Sequence, residues 1–225
     1  MQNQTADVEW RRDAVPVSTR FDDPYFSLED GLAETRHVFL AGNDLPARFR
    51  DGFYVAELGF GTGLNFLTTL LAWKAAGIQG RLKFTSFEAF PMQAEDMARA
   101  HRAFPEVAEV SRTLCDNWTP EGGRFNVLPD VQLQVIVDDA RRALPKWDDA
   151  ADAWYLDGFS PAKNPELWSY DLMQAVGAHT APQGTCATYT AAGFVRRALE
   201  DAGFHITRTA GFGRKRHMTR GVLEP

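Results

Sequence analysis

The segment Glu57-Leu58-Gly59-Phe60-Gly61-Thr62-Gly63-Leu64-Asn65 constrains this chain more than any other. It stands where a short apolar run over 53–58 hands over to a helical pattern that begins near 63, with Leu64, Leu67 and Leu71 on one face. Glycines at such a junction permit a tight turn and close approach of a ligand to the backbone. The helix that follows presents free N–H groups at its start. Three cofactors compete for a loop of this kind. A phosphate-cradling Walker loop needs Gly-Lys-Ser/Thr, and no lysine follows here. A dinucleotide fingerprint is spaced Gly-x-Gly-x-x-Gly, whereas this loop is Gly-x-Gly-x-Gly. Glu57, just before the first glycine, would repel a pyrophosphate but suits the net cationic methionyl end of S-adenosylmethionine.

The rest of the chain reads as strands alternating with helices. Strands are expected over 82–88, 131–137, 153–157 and 185–190, and helices over 63–76, 91–104, 165–178 and 192–202, with a short helix from Ala140. Gly77 is a plausible helix stop, and Pro165 suits a first turn. Segments 204–209 and 217–223 are expected to pair as a terminal hairpin. This order predicts an α/β fold, a mostly parallel seven-stranded sheet covered on both faces and closed by an antiparallel β-hairpin. That ending is expected of a Rossmann-like class I methyltransferase and is unusual for a dehydrogenase. Residues 1–50 are less regular: a small hairpin over 8–10 and 15–17, a packed aromatic loop at 21–26, and a short helix over 31–40 before a turn at Asn43-Asp44. They are expected to form a β-rich extension packing on a methyltransferase domain at 51–225. Residues 111–130 show no motif.

Further acids fall at strand ends. Glu88 closes the strand after the glycine loop, where a carboxylate can accept from both ribose hydroxyls. Asp138 and Asp139 close the next strand, where an acid can accept from an adenine amino group. With Gly59, Gly61, Gly63 and Asn65 they describe one nucleoside pocket. The fourth strand runs into Asp157-Gly158-Phe159-Ser160-Pro161-Ala162-Lys163-Asn164-Pro165, across the switch point from the glycine loop. This has the shape of the loop with which amino-group methyltransferases hold their acceptor. Asp157 is placed to orient an amine and take its proton, Phe159 to stack on an extruded base, and Lys163 to meet phosphate. An Asx-type turn capping the next helix is the plainer alternative.

These blocks, together with Gly193-Phe194-Val195-Arg196-Arg197, Gly211-Phe212-Gly213-Arg214-Lys215-Arg216-His217-Met218, Phe21-Asp22-Asp23-Pro24-Tyr25-Phe26-Ser27 and Gly31–Leu40, resemble the methyltransferase domain of the MnmC family over nearly the whole chain. The resemblance implies methyl transfer from S-adenosyl-L-methionine to 5-aminomethyl-2-thiouridine at wobble position 34 of tRNA, giving 5-methylaminomethyl-2-thiouridine. In bifunctional relatives an FAD-dependent domain first prepares the substrate. No such segment lies in these residues, so a chain of the stand-alone MnmD type, or an isolated domain, is expected, served by a separate FAD-dependent oxidase. One position departs from the family pattern: Asp138-Asp139 replaces the commoner Gly-Asp, which makes Asp139 the expected adenine contact and Asp138 its reserve.

Charge bears on the partner. The chain carries a net charge of −6, against a nonspecific nucleic-acid coat. Yet residues 190–225 hold seven Arg/Lys against three acids, leaving that segment at +4 and the remainder at −10. Arg196, Arg214, Lys215 and Arg216 are therefore candidate contacts to an anticodon stem-loop. Cys115 and Cys186 read as reduced thiols, and the scattered histidines suggest no metal site. With no signal core and no apolar run of about 18 residues, a cytoplasmic protein without membrane contact is expected. Two rivals stay open: methylation of a small-molecule or protein amine, and a non-catalytic tRNA-binding module.

Overall fold

The structure, a computed structural model, describes residues 5–11, 15–27 and 30–224. It begins with β1 (Val8–Arg11) and β2 (Val15–Ser18), an antiparallel pair, with β3 (Asp23–Pro24) on the other side of β2. Helix α1 (Gly31–Thr35) starts at Asp30, whose carboxylate accepts from the Ala33 N–H at 2.9 Å. It widens into a π-helical turn at Arg36–Leu40 and stops at Asp44, which adopts a left-handed φ of 55°. The widened turn buries Val38, Phe39 and Leu40 together, so this part of the extension belongs to the central core.

The main elements follow in order. They are β4 (Phe53–Leu58), α2 (Leu64–Ala76), β5 (Leu82–Glu88), α3 (Ala94–His101), α4 (Ala108–Asn117), β6 (Gly123–Leu128), β7 (Val131–Val137) and α5 (Ala140–Ala143), then β8 (Ala151–Leu156), α6 (Tyr170–Ala178), β9 (Thr180–Thr188), α7 (Gly193–Asp201), β10 (Phe204–Ala210) and β11 (His217–Leu223). The large sheet has the order β10-β11-β9-β8-β4-β5-β7-β6. Strand β4 lies inside it, parallel to β5 and β8. It is buried along its whole length, which is why its first four residues read as an unbroken apolar run and not as an alternating one. The closing hairpin places β11 between β9 and β10, antiparallel to both. The Rossmann-like methyltransferase architecture expected from the alternation is the one the chain adopts.

Details that differ from expectation include helix α4, which begins ahead of the segment that shows no motif and runs into it. The sheet has an eighth strand, β6, antiparallel to β7 at the edge. It falls in the segment that showed no motif, because a six-residue edge strand with only Phe125 and Val127 buried gives too short an alternation to register. The helix expected over 165–178 is split: Pro165–Trp168 forms a 3₁₀ turn and α6 starts at Tyr170. Trp168 forces the break, being 1 % exposed and donating its indole N–H to the Phe159 carbonyl at 2.9 Å.

The sheet is covered on both faces. Phe66, Leu67 and Leu70 of α2 pack against Val55 and Phe84 on one side, and Leu172, Met173 and Val176 of α6 against Ala56, Leu58 and Trp154 on the other. Among the described residues no helix is long and apolar enough to cross a membrane.

Candidate functional site

Strands β4, β5, β7 and β8 run parallel, so their C-terminal ends reach the same edge of the sheet. The loops that leave them line one cleft of 1510 Å³. Chain connections depart to opposite sides at the β4–β8 boundary, the switch point where open α/β sheets take their ligands.

The glycine loop forms one wall. Gly59 has φ +84° and its N–H donates to the Phe87 carbonyl at 2.8 Å; a Cβ there would stand 3.1 Å from the Asp157 carbonyl. Gly61 has φ +54° and its N–H donates to Glu88 Oε2 at 2.9 Å, tying the loop to the β5 acid. The other Glu88 oxygen accepts from the Phe90 N–H at 2.7 Å. Burial raises the Glu88 pKa, while donation from the Gly61 and Phe90 amides pulls it back. Gly63 caps α2 and does not line the cleft.

A buried histidine that the sequence did not disclose holds this loop from behind. His101 Nε2 lies 2.7 Å from the Thr62 carbonyl and Nδ1 lies 2.7 Å from Ser111 Oγ. Burial lowers its pKa to about 4, so the ring is neutral. A carbonyl only accepts, so the single ring proton sits on Nε2 and Ser111 donates to Nδ1.

Glu57 does not face the cleft as expected. It is 0 % exposed, with Oε1 accepting from Asn65 Nδ2 at 2.9 Å and Oε2 from Ser86 Oγ at 2.7 Å. The strand period turns its side chain into the core between β4 and α2. Burial drives its pKa well above the carboxylate range, and donation from Ser86 and Asn65 only partly offsets this. Asn65 itself does line the cleft, and its second amide hydrogen goes to Asp157 Oδ2 at 2.7 Å.

Asp138 and Asp139 both line the cleft. Asp139 caps α5 and engages Arg141 through both carboxylate oxygens, at 3.0 Å and 2.5 Å, after accepting from the Arg141 N–H. The Arg141 side chain holds its pKa below the usual value. Asp138 uses Oδ1 for the Asp139 N–H and for Arg142. Helix capping and the Arg141 side chain thus engage both oxygens of Asp139, the expected adenine contact, while Asp138 is engaged through Oδ1.

Asp157 leaves β8 with its carboxylate in the cleft. Oδ1 accepts from the Gly158 N–H at 2.8 Å and Oδ2 from Asn65. Burial raises its pKa to about 6 against the donation from Asn65 and Gly158. Phe159 stacks on Phe21 at 4.7 Å and meets Tyr25 edge-on at 5.0 Å. One face of the ring expected to hold a base is therefore taken by the chain's own N-terminal segment. Ser160 N–H donates to Asp23 Oδ2 at 2.9 Å, and Lys163 pairs with Asp22 and Asp23. Lys163 thus lines the cleft while paired with two carboxylates.

The β10–β11 turn brings Arg214 and Lys215 to the cleft, while Arg216 and Arg196 lie off its lining. Lys215 Nζ donates to Glu34 at 2.8 Å and sits 4.0 Å over the Tyr189 ring. Arg196 stands on α7, where its Nε is buried without a partner.

A parallel sheet with an inserted antiparallel strand, a left-handed glycine loop and acids at successive strand ends defines a Rossmann-like methyltransferase. Residues 105–224 match the model of a family described as S-adenosyl-L-methionine-dependent methyltransferase, and the chain belongs to this family. Its cofactor is S-adenosyl-L-methionine. The crystal structure of MnmC2 from Aquifex aeolicus has the same fold, with a TM-score of 0.78 at 24 % identity over 100 % of this chain and 73 % of that one. The precorrin-6y C5,15-methyltransferase of Geobacter metallireducens is similar at a TM-score of 0.52 and 12 % identity, over 89 % of this chain and 91 % of that one. The MnmC-type resemblance carried by the sequence motifs agrees with both the family and the fold.

Proposed function

We propose that the chain methylates the amine of 5-aminomethyl-2-thiouridine at wobble position 34 of tRNA, giving 5-methylaminomethyl-2-thiouridine. The observation that carries this reading is the Asp157 carboxylate. It is fixed by Asn65 and Gly158 beside the glycine loop, in a loop that resembles the acceptor loop of MnmC. An amine needs an oriented acceptor for its N–H, and Asp157 offers one within a half-buried site.

The cleft fits the cofactor on its own geometry. Gly59 and Gly61 line the cleft with left-handed backbone and no side chain, Glu88 would accept from ribose hydroxyls, and Asp138 would accept from an adenine amino group. When bound, S-adenosyl-L-methionine supplies an electrophilic methyl group on a sulfonium. The protein's work is then positioning. Asp157 aligns the neutral amine and accepts the proton it loses, while Phe21, Tyr25 and Phe159 exclude water from one side of the cleft. Arg214 and Lys215 at the rim, with Arg216 beside them, are the cations we assign to tRNA phosphate. A separate FAD-dependent oxidase in the same cytoplasm would supply the aminomethyl group.

The direct test is transfer of labelled methyl to tRNA halted at the aminomethyl stage, followed by nucleoside analysis. Label in 5-methylaminomethyl-2-thiouridine is expected. Cofactor binding with no label in tRNA would move the acceptor to another amine. A second expectation concerns the rim. Arg214→Ala with Arg216→Ala should weaken tRNA affinity and reduce the slope of log K against log salt by about 1–2, since each lost phosphate contact removes about 0.7–0.9. An unaltered slope would place the RNA face elsewhere.

A further inference from the structure

One group of buried polar residues is not explained by cofactor binding. Asn65 has its amide fully committed: one Nδ2 hydrogen to Glu57 at 2.9 Å, the other to Asp157 at 2.7 Å, and Oδ1 accepting from the Thr35 hydroxyl at 2.9 Å. Thr35 is 4 % exposed and Asn65 6 %. A hydroxyl must donate to Oδ1, because the ionised Asp157 can only accept and takes the NH₂ end, so the orientation of the amide is determined from both sides. Glu57 is held in turn by Ser86.

We propose that Thr35, Asn65 and Glu57 are positioning residues that act as one relay on the Asp157 carboxylate. Asn65 lies at the start of α2, and its two acidic partners lie on β4 and just past the end of the adjacent parallel strand β8. Thr35 comes from the N-terminal extension, which thereby becomes part of the catalytic apparatus and not only a cover. The relay explains why an acid sits at a fully buried position: Glu57 anchors the amide that aims Asp157 into the cleft. It rests on the reading of Asp157 as the residue that holds the amine.

The relay has a readout that does not depend on the acceptor. The charged and titratable groups around Asp157 are Glu57 on β4, Glu34 on α1, Lys215 in the β10–β11 turn and Tyr189 after β9. None of these is changed by substituting Thr35. Loss of the Thr35 hydroxyl leaves Oδ1 without its donor, loosens the amide and weakens its donation to Asp157, which disfavours the carboxylate form.

The experiment is a carbon-13 carboxyl NMR titration of Asp157 in the ligand-free full chain. In Thr35→Val the midpoint is expected to rise by about one pH unit, a tenfold gain in proton affinity. In Asn65→Leu it should rise further, and in Thr35→Ser it should return to the wild-type value. In methyl transfer, Thr35→Val should lower kcat near neutral pH by several-fold and move the acid limb upward, with unchanged affinity for S-adenosylhomocysteine. A midpoint unmoved in Thr35→Val overturns the relay. A moved midpoint in a protein that labels no tRNA keeps the relay and overturns the acceptor assignment instead.

Discussion

Asp157→Ala is expected to lower methyl transfer about 10²–10³-fold while cofactor affinity stays unchanged, the scale of loss when a positioned proton acceptor is removed. The separation follows from where the residue sits. Glu88, Asp138 and the glycine loop, to which we assign the cofactor, line the cleft, and the Gly61–Glu88 bond that joins two of them does not involve the Asp157 side chain. The carboxylate should matter only where the amine meets the methyl group. Its protonation gives a second signature. With a pKa raised to about 6, Asp157 is ionised above that value and neutral below it. Activity that needs the carboxylate should therefore fall as pH drops through about 6. In Asp157→Asn this acid limb should be absent, leaving only the titration of the substrate amine at higher pH. Isothermal titration of S-adenosylhomocysteine alongside pH-dependent single-turnover rates checks both claims. Equal turnover in the alanine variant would remove Asp157 from the mechanism.

The sequence made most of the cleft lining at the ends of β4, β5 and β7 legible and the surroundings of Asp157 only in part, for physical reasons. Strands β7 and β11 were read to their termini because each is a compact run between turn residues. The glycine loop, Glu88 and the Asp138-Asp139 pair stood out because acids and glycines at strand ends carry a positional meaning that local sequence preserves. Glu57 was misplaced because a strand-end acid gives no sign of which face it takes, and here the pleat turns it inward to Asn65 and Ser86. Thr35 and His101 act across 30 and 39 residues of chain on Asn65 and Thr62. Nothing in their own neighbourhoods signals that. The aromatic motif at 21–26 was visible as a packed loop, but its partner, Phe159, lies more than a hundred residues away.

Gly61→Val is expected to abolish measurable cofactor binding in a chain that still folds. At φ +54° a β-branched residue carries strain of about 1–3 kcal/mol. A Cβ there would also stand 3.2 Å from Tyr25 Cδ1, tighter than a relaxed contact, and valine adds two methyl groups beyond it. Tyr25 is mostly buried and meets Phe159 edge-on, so it has little room to withdraw. Relief must come from the loop, and moving the loop breaks the Gly61 N–H bond to Glu88. That bond joins the wall that approaches the methionyl end to the acid assigned to the ribose, so both ends of the cofactor site lose register together. A loss of at least 100-fold in affinity, about 2.7 kcal/mol, is the expected result. Gly61→Ala meets the same φ with less bulk and should fall between the two. The loop lies at the cleft surface while the core of β4 and α2 stays beneath it, so the thermal transition should survive in both variants. Normal binding by Gly61→Val would show that the cofactor does not run along this backbone. A graded loss from glycine through alanine to valine, with folding retained, would show that cofactor binding depends on the backbone that Gly61 holds against Tyr25 and Glu88.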